Sequence, residues 1–313
     1  MKARPPNVNE RLTRAIHSLQ GLSCGDAFGE RFFVHPDVAT SLIAQRAVPS
    51  RPWRYTDDTA MAIAIAEILE EFGEIHPERL AENFGKRFIA DPRRGYGHAM
   101  HSLLPELAGH PKHWKQLAPQ LFGGKGSFGN GAAMRVAPVG AFFADDLDTV
   151  IKQAELSAAI THSHPEGVAG AIAVALAAAL AWRHKTAPIS PQNFLQQICE
   201  RTPMSEVQLG IIKALVLLEN TTVDQAASAL GTGARVSAQD TVPFCLWAAA
   251  LHLNDYEEAM WTTVAGLGDR DTTCAIIGGI VVMSAGIESI PPSWMQAREL
   301  IPVWFLDPDS DAL

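Results

Sequence analysis

The stretch Gly167-Val168-Ala169-Gly170-Ala171-Ile172-Ala173-Val174-Ala175-Leu176-Ala177-Ala178-Ala179-Leu180-Ala181-Trp182 is apolar on nearly every face that a helix can present. A surface helix would carry a polar stripe, so this one is surrounded by other elements. It falls short of the ~20 residues that a bilayer core demands, and its Ala and Gly content suits close packing between helices. It reads as a buried helix.

Thr59 to Leu69 and Thr273 to Gly286 have the same all-round apolar character, and the three together make a core for smaller amphipathic helices. Helical patterns recur at Glu10 to Leu22, Thr59 to Phe72, Pro77 to Phe88, Leu147 to Ile160, Glu166 to His184, Glu206 to Glu219, Val242 to Leu253 and Tyr256 to Leu267, while strand-like alternation is scarce. Several starts carry capping signals: a capping box over Ser163 to Glu166, Ser205 before Glu206, and Asp255 before Tyr256. The glycines of Leu121 to Gly131 interrupt the pattern and predict a loop. The expectation is an all-α orthogonal helical bundle, one compact domain over residues 1–313.

Composition narrows the function. With 47% hydrophobic and 19% charged residues the chain is neither disordered nor a coiled coil. A net charge of −9 argues against a phosphate-tracking surface, so nucleic acid is not expected as a partner. Cys24, Cys199, Cys245 and Cys274 are scattered without a C-x-x-C pair, a pattern that suits a reducing cytoplasm. The polar stretch Asn9 to Arg14 follows Met1 to Pro6 where a secretory leader would be apolar, and no membrane attachment is expected. Oligomeric state is not readable.

Two acidic clusters each open an apolar helix: Tyr55-Thr56-Asp57-Asp58-Thr59 and Gly268-Asp269-Arg270-Asp271-Thr272. One reading is capping, since Asp and Thr satisfy free N–H groups and suit the positive end of a helix dipole. The other follows from the clusters as a pair. A cap needs one side-chain oxygen, whereas each cluster supplies several, and hard divalent cations need oxygens in that number.

Thr-Asp-Asp-Thr early and Asp-x-Asp-Thr late, each before an apolar helix, resemble the metal-binding signatures of the ADP-ribosylglycohydrolase family. Gly25-Asp26-Ala27-Phe28-Gly29, Ser127-Phe128-Gly129-Asn130-Gly131-Ala132-Ala133-Met134-Arg135, Thr161-His162-Ser163-His164-Pro165 and Val242-Pro243 resemble further family segments in the same order. The likeness spans roughly Leu19 to Gly286.

The resemblance implies an all-α fold with two Mg²⁺ ions, or Mn²⁺, held by Thr56, Asp57, Asp58, Asp269, Asp271 and Thr272 in a cleft for ADP-ribose. It implies hydrolysis of the glycosidic bond between ADP-ribose and a protein side chain or small conjugate, with Asp57 or Asp58 as base. The glycine loop makes separate sense as a diphosphate cradle or as an ordinary turn. Gly129, Asn130 and Gly131 match the family's cradle; Ser127 adds a hydroxyl and Phe128 an aromatic face. His162 matches a phosphate-side position, His164 belongs to the helix start, and Arg135 is expected to pair with a buried acid. Asp26 is a cap or a support for the metal ligands.

Two departures stand out. Many members carry a Glu seven positions after this Asp, where this chain has Phe33; Glu30 is the candidate substitute in catalysis. Arg270 stands between Asp269 and Asp271 where the family often has a small residue, pointing either at the metals or outward. The alternatives are a non-catalytic binder of ADP-ribosylated ligand or of a toxin (immunity-like), and a two-metal phosphoesterase.

Overall fold

The computed structural model describes residues 6–301. Sixteen α-helices follow one another among them: α1 (Pro6–Glu30), α2 (Pro36–Ala44), α3 (Asp57–Phe72), α4 (Pro77–Ala90), α5 (Met100–Gly109), α6 (Trp114–Gly124), α7 (Ala137–Phe142), α8 (Leu147–Ala159), α9 (Pro165–His184), α10 (Pro191–Arg201), α11 (Glu206–Val216), α12 (Val223–Leu230), α13 (Ala238–Leu251), α14 (Tyr256–Ala265), α15 (Arg270–Ala285) and α16 (Pro292–Ala297). Extended pairing among the described residues is limited to two isolated bridges, Trp53 with Arg298 and Gly129 with Ser237. The fold is all-α, as expected.

The three all-round apolar segments are the middle of the molecule. Every residue of α9 from Ala169 to Ala181 is buried, against α7, α8, α13 and α15. It is the one described helix long and apolar enough to cross a membrane, and 78% of its apolar window lies inside the protein. Burial among helices accounts for its composition.

The pairing of α1 with α15 positions the site. A Cβ built at Gly21, Gly25 or Gly29, successive turns of one α1 face, would lie 2.4, 2.1 and 2.1 Å from the carbonyl oxygens of Gly278, Cys274 and Arg270. The two helices therefore run antiparallel with backbones in contact, which only glycine permits. This brings the last turn of α1 against the first turn of α15. The start of α3 meets them both, because α3 also packs on α1.

Several helix ends differ from the sequence reading. The start of α9 is not a Ser163 capping box: His164 is the N-cap, its Nδ1 accepting from Glu166 N at 3.1 Å. The Glu166 carboxylate instead accepts from Glu206 N (2.8 Å) and Val207 N (3.1 Å), tying α11 to α9. Ser205 and Asp255 cap α11 and α14 as expected. α1 continues through Gly25 and Asp26 to Glu30, so Asp26 is not at a helix end. α13 starts at Ala238 and takes Pro243 inside.

Candidate active site

At the start of α3 the backbone N–H groups are satisfied without Asp57 or Asp58. Thr56 is the N-cap, its hydroxyl accepting from Asp58 N at 3.4 Å. The buried Asp26 carboxylate reaches across from α1 and accepts from Thr56 N at 3.1 and 3.0 Å and from Thr59 N at 3.1 Å, and it also takes the Thr59 hydroxyl. The Thr56 hydroxyl lies 2.9 Å from both Asp26 Oδ1 and Asp58 Oδ2, with one proton to give. Asp26 thus does the capping, which leaves the Asp57 and Asp58 carboxylates free for other work.

The start of α15 follows the same plan. Leu267 and Gly268 have φ of 59° and 69°, a left-handed turn that Asp269 N anchors by donating to Thr232 O at 3.0 Å. Asp269 makes no side-chain cap; its Oδ2 accepts from Asn130 Nδ2 at 2.7 Å. Capping therefore explains neither acidic cluster.

The carboxylates are close enough to disfavour one another's charge. Burial first, then the charge of Asp26, pushes Asp57 up to about 8. Burial, with Asp26 and Asp271 next, raises Asp58 well above the carboxylate range. Burial and Asp269 do the same to Asp271. Burial raises Asp26 to about 6, against the pull of its hydrogen bonds from Thr59 and Thr56. Asp58 Oδ1 and Asp271 Oδ1 are buried with no hydrogen-bond partner. Clustered carboxylates with buried, orphaned oxygens are a poor arrangement unless a cation joins them. The donors are all hard oxygens, which suits Mg²⁺ or Mn²⁺ rather than zinc. Among the described residues no three His, Cys, Asp or Glu side chains are drawn together tightly enough to enclose an ion as they stand; Asp58 Oδ2 is turned to Thr56 and Asp269 Oδ2 to Asn130.

Asp57, Asp269, Asp271 and Thr272 line one end of a cleft of about 420 Å³, a size suited to a small-molecule ligand. Thr56 and Asp58 are buried behind them. The expected binding residues Ser127, Phe128, Gly129, Asn130, Gly131 and His162 all line the same cleft.

The glycine loop is not an ordinary surface turn. A Cβ on Gly131 would meet His162 Cε1 and Nε2 at 2.9 and 3.0 Å, and one on Gly129 would meet Nε2 at 3.2 Å. The loop is fixed from behind: Ala238 N donates to Phe128 O at 2.9 Å. Asn130 Nδ2 lies 3.1 Å from Thr241 Oγ1. Arg135 Nη2 donates to Thr161 Oγ1 at 2.8 Å, and the same hydroxyl lies 2.7 Å from His162 Nδ1. In the tautomer in which Nδ1 accepts the Thr161 proton, Nε2 carries the hydrogen toward Gly129 and Gly131. Burial and Arg135 push the imidazole down to about 3, so it is a neutral donor near pH 7.

Among the described residues Arg135 pairs with no buried acid. Its other contacts are Ser157 O at 3.2 Å, Met61 Sδ at 3.5 Å and the face of Phe84 at 4.3 Å. It is fully buried at the cleft floor, where burial pushes its pKa down to about 9. His164 stays a structural residue, its ring 5.5 Å from that of Phe128.

Glu30 is exposed and does not line the cleft. It lies one turn after Asp26 on the same face of α1, and the partial burial of its carboxyl together with the charge of Asp26 raises its pKa. Arg270 points outward: Nη1 donates to Phe32 O at 3.0 Å and the guanidinium lies 4.9 Å from the centre of the Phe33 ring. The two departures from the family pattern are thus in contact with each other.

The sequence reading missed part of the cleft wall. Phe122 faces Phe128 across 6.3 Å, and Arg235 and Val236 also line the cleft, beside Gly129. Phe122 and Val236 have φ of 54° and 52°, unfavourable for side chains of those kinds, and strain of this sort gathers at ligand sites. Gly95 and Gly97 complete the metal end; a Cβ on Gly95 would lie 3.4 Å from Asp57 Oδ1. The Gly95-Tyr96-Gly97 spacing was a readable signal for this wall. Arg235 and Val236 had none.

The sequence profile of the ADP-ribosylglycohydrolase family matches residues 7–307. The chain is 31% identical to the ADP-ribosylhydrolase ARH3 of Xenopus tropicalis, over 92% of this chain and 91% of that protein. It is 29% identical to the ARH3 of Homo sapiens, over 92% and 90%. A solved ADP-ribosylglycohydrolase-related protein complex has a chain with the same fold, at a TM-score of 0.66 and 23% identity, covering 93% of this chain and 94% of that one.

Proposed function

The chain belongs to the ADP-ribosylglycohydrolase family, and from that premise we propose that it is a divalent-metal-dependent hydrolase of ADP-ribose conjugates, cleaving the bond between the ribose and a protein side chain or small-molecule acceptor. The observation that carries the metal dependence is the pair of helix starts whose carboxylates, buried at Asp57 and Asp58 and half-buried at Asp269 and Asp271, are uninvolved in capping and left with buried orphaned oxygens at Asp58 and Asp271. Thr56, Asp57, Asp58, Asp269, Asp271 and Thr272 would hold the ions. When bound, Mg²⁺ or Mn²⁺ supplies charge to fix the ribose hydroxyls and to acidify a water.

The chain's own groups do the rest. Asp57 or Asp58 takes the proton of the attacking water, and of the two Asp57 lies on the cleft wall. His162 Nε2–H and the loop at Gly129 to Gly131 donate to the diphosphate, with the Ser127 hydroxyl beside them. Phe128 and Phe122 offer faces for the adenine. Negative charge at the ribose end stabilises an oxocarbenium-like transition state. The four cysteines are free thiols, which supports a cytoplasmic protein.

The test is to incubate the protein and Mg²⁺ with ADP-ribosylated arginine, ADP-ribosylated serine and poly-ADP-ribose and to weigh the products. Release of intact ADP-ribose is expected, and it is expected to stop with EDTA and return with Mg²⁺ or Mn²⁺. Release of AMP instead identifies a phosphoesterase, and turnover that survives verified metal depletion ends the metal proposal.

A binding-only protein is favoured by one observation, Phe33 at the place of the family's Glu. Glu30 is proposed as the replacement. Glu30→Gln keeps the size and loses the charge and the base, so kcat is expected to fall on the order of 10²-fold while ADP-ribose affinity stays within about twofold. A single-turnover rate equal to wild type assigns the work to Asp57 and Asp58 alone.

A further inference from the structure

The outer face of α11 is apolar and uncovered. Leu209 (48% exposed), Ile212 (45%) and Val216 (78%) recur at helical spacing on it, and Met204, just before the helix, is 93% exposed. The opposite face, Val207, Ile211 and Ala214, is buried against its neighbours. An amphipathic helix of a monomer turns polar residues outward, and this one turns out Leu209, Ile212 and Val216 as well as burying Val207 and Ile211.

The charges on this face say what covers it. Glu206 and Lys213 are both exposed and lie seven residues apart on one edge of the apolar stripe. Neither takes part in an ion pair among the described residues. We propose that the α11 face is a homodimer interface in which two copies pair their α11 helices antiparallel about a two-fold axis passing between Leu209 and Gly210.

That axis follows from the spacing. The midpoint of 206 and 213 is the midpoint of the pairing, and a two-fold there keeps each edge on its own side, so Glu206 meets Lys213 of the partner subunit, twice. The same operation sets Leu209 against Leu209 of the partner subunit at the centre. It brings Val216 to within about one residue, ~1.5 Å of rise, of the level of the partner subunit's Met204. Apolar and charged positions are thus satisfied by one register, which is the self-complementarity that a two-fold interface requires. The face is about 16 Å long, the rise of eleven residues, so the contact is small and the dimer is a weak, reversible one. It is anchored to the rest of the molecule through Glu166, whose carboxylate holds the first two N–H groups of α11.

The test is sedimentation or light scattering of the full chain from about 1 to 200 µM, a range suited to a small reversible interface. A species of twice the 33.8 kDa chain mass is expected to grow with concentration. Leu209→Glu or Val216→Glu, at exposed positions that leave the helical signal unchanged, should raise the dissociation constant at least tenfold. Ile89→Glu, an exposed apolar position on α4, should leave it unchanged. Lys213→Glu should weaken the dimer, and Glu206→Lys added to Lys213→Glu should restore it. A monomer at every concentration, or a dimer indifferent to Leu209→Glu and Val216→Glu, overturns the proposal; a charge exchange that fails to restore pairing overturns the register.

Discussion

Asp271→Ala and Asp58→Ala are each expected to reduce hydrolysis on the order of 10³-fold or more while leaving the protein folded. Each removes a proposed metal ligand with a buried, unpartnered oxygen, and neither side chain caps its helix. Asp58 does lose one contact with the Thr56 hydroxyl, but that hydroxyl keeps Asp26. In EDTA the cluster is repulsive, so a variant with one carboxylate fewer should melt no lower than wild type. Turnover by single-turnover assay, paired with melting in EDTA, separates the two effects. Wild-type turnover in either variant, or a variant that unfolds, removes that residue from the metal set.

Gly25→Val is expected to abolish folding, or to cost at least ~3 kcal/mol in urea unfolding, although the substitution is conservative for an apolar core. The added Cβ would lie 2.1 Å from the Cys274 carbonyl oxygen and 2.8 Å from its carbon. Backbone cannot turn aside as a side chain can, so α1 and α15 must separate. That separation also pulls Asp26 from α3 and dismantles the site. Gly109→Ala, at the end of α5 with nothing within 4 Å of its Cβ, is the control and should unfold at the wild-type midpoint. A Gly25→Val protein as stable as that control would show that the two backbones are not in contact.

The long helices were legible because their apolar pattern exceeds what a surface helix carries: α3, α9 and α15 were readable as core without any partner being known. The shorter α2, α5, α6, α7, α10, α12 and α16 were not marked, since six to eleven residues establish a period only weakly; α11 and α14, of the same length, were marked with the help of their caps Ser205 and Asp255. Two of the unmarked helices had readable starts, Ser190 before Pro191 and the capping box of Thr222 with Gln225. Ser163 was misread because the backbone N–H groups of a distant helix start compete for Glu166. Spacing along one chain cannot register that.

The candidate ligands were legible for a related reason. Acidic residues gathered at two apolar helix starts exceed what capping consumes, and that excess is written in the sequence. The sequence alone determined the helical class, the core helices, the glycine loop and the two acidic clusters, since each depends on residues that are neighbours in the chain. The tertiary structure decided that Asp26 caps α3 from α1, that Arg135 holds the Thr161 hydroxyl, that Phe122 and Val236 form the cleft mouth, and that Arg270 lies on Phe33 rather than over the carboxylates. Each of these joins residues tens to hundreds of positions apart, through a hydrogen bond or a close packing contact. Such contacts form only once the glycine face of α1 lets the α15 backbone approach and the helix ends converge.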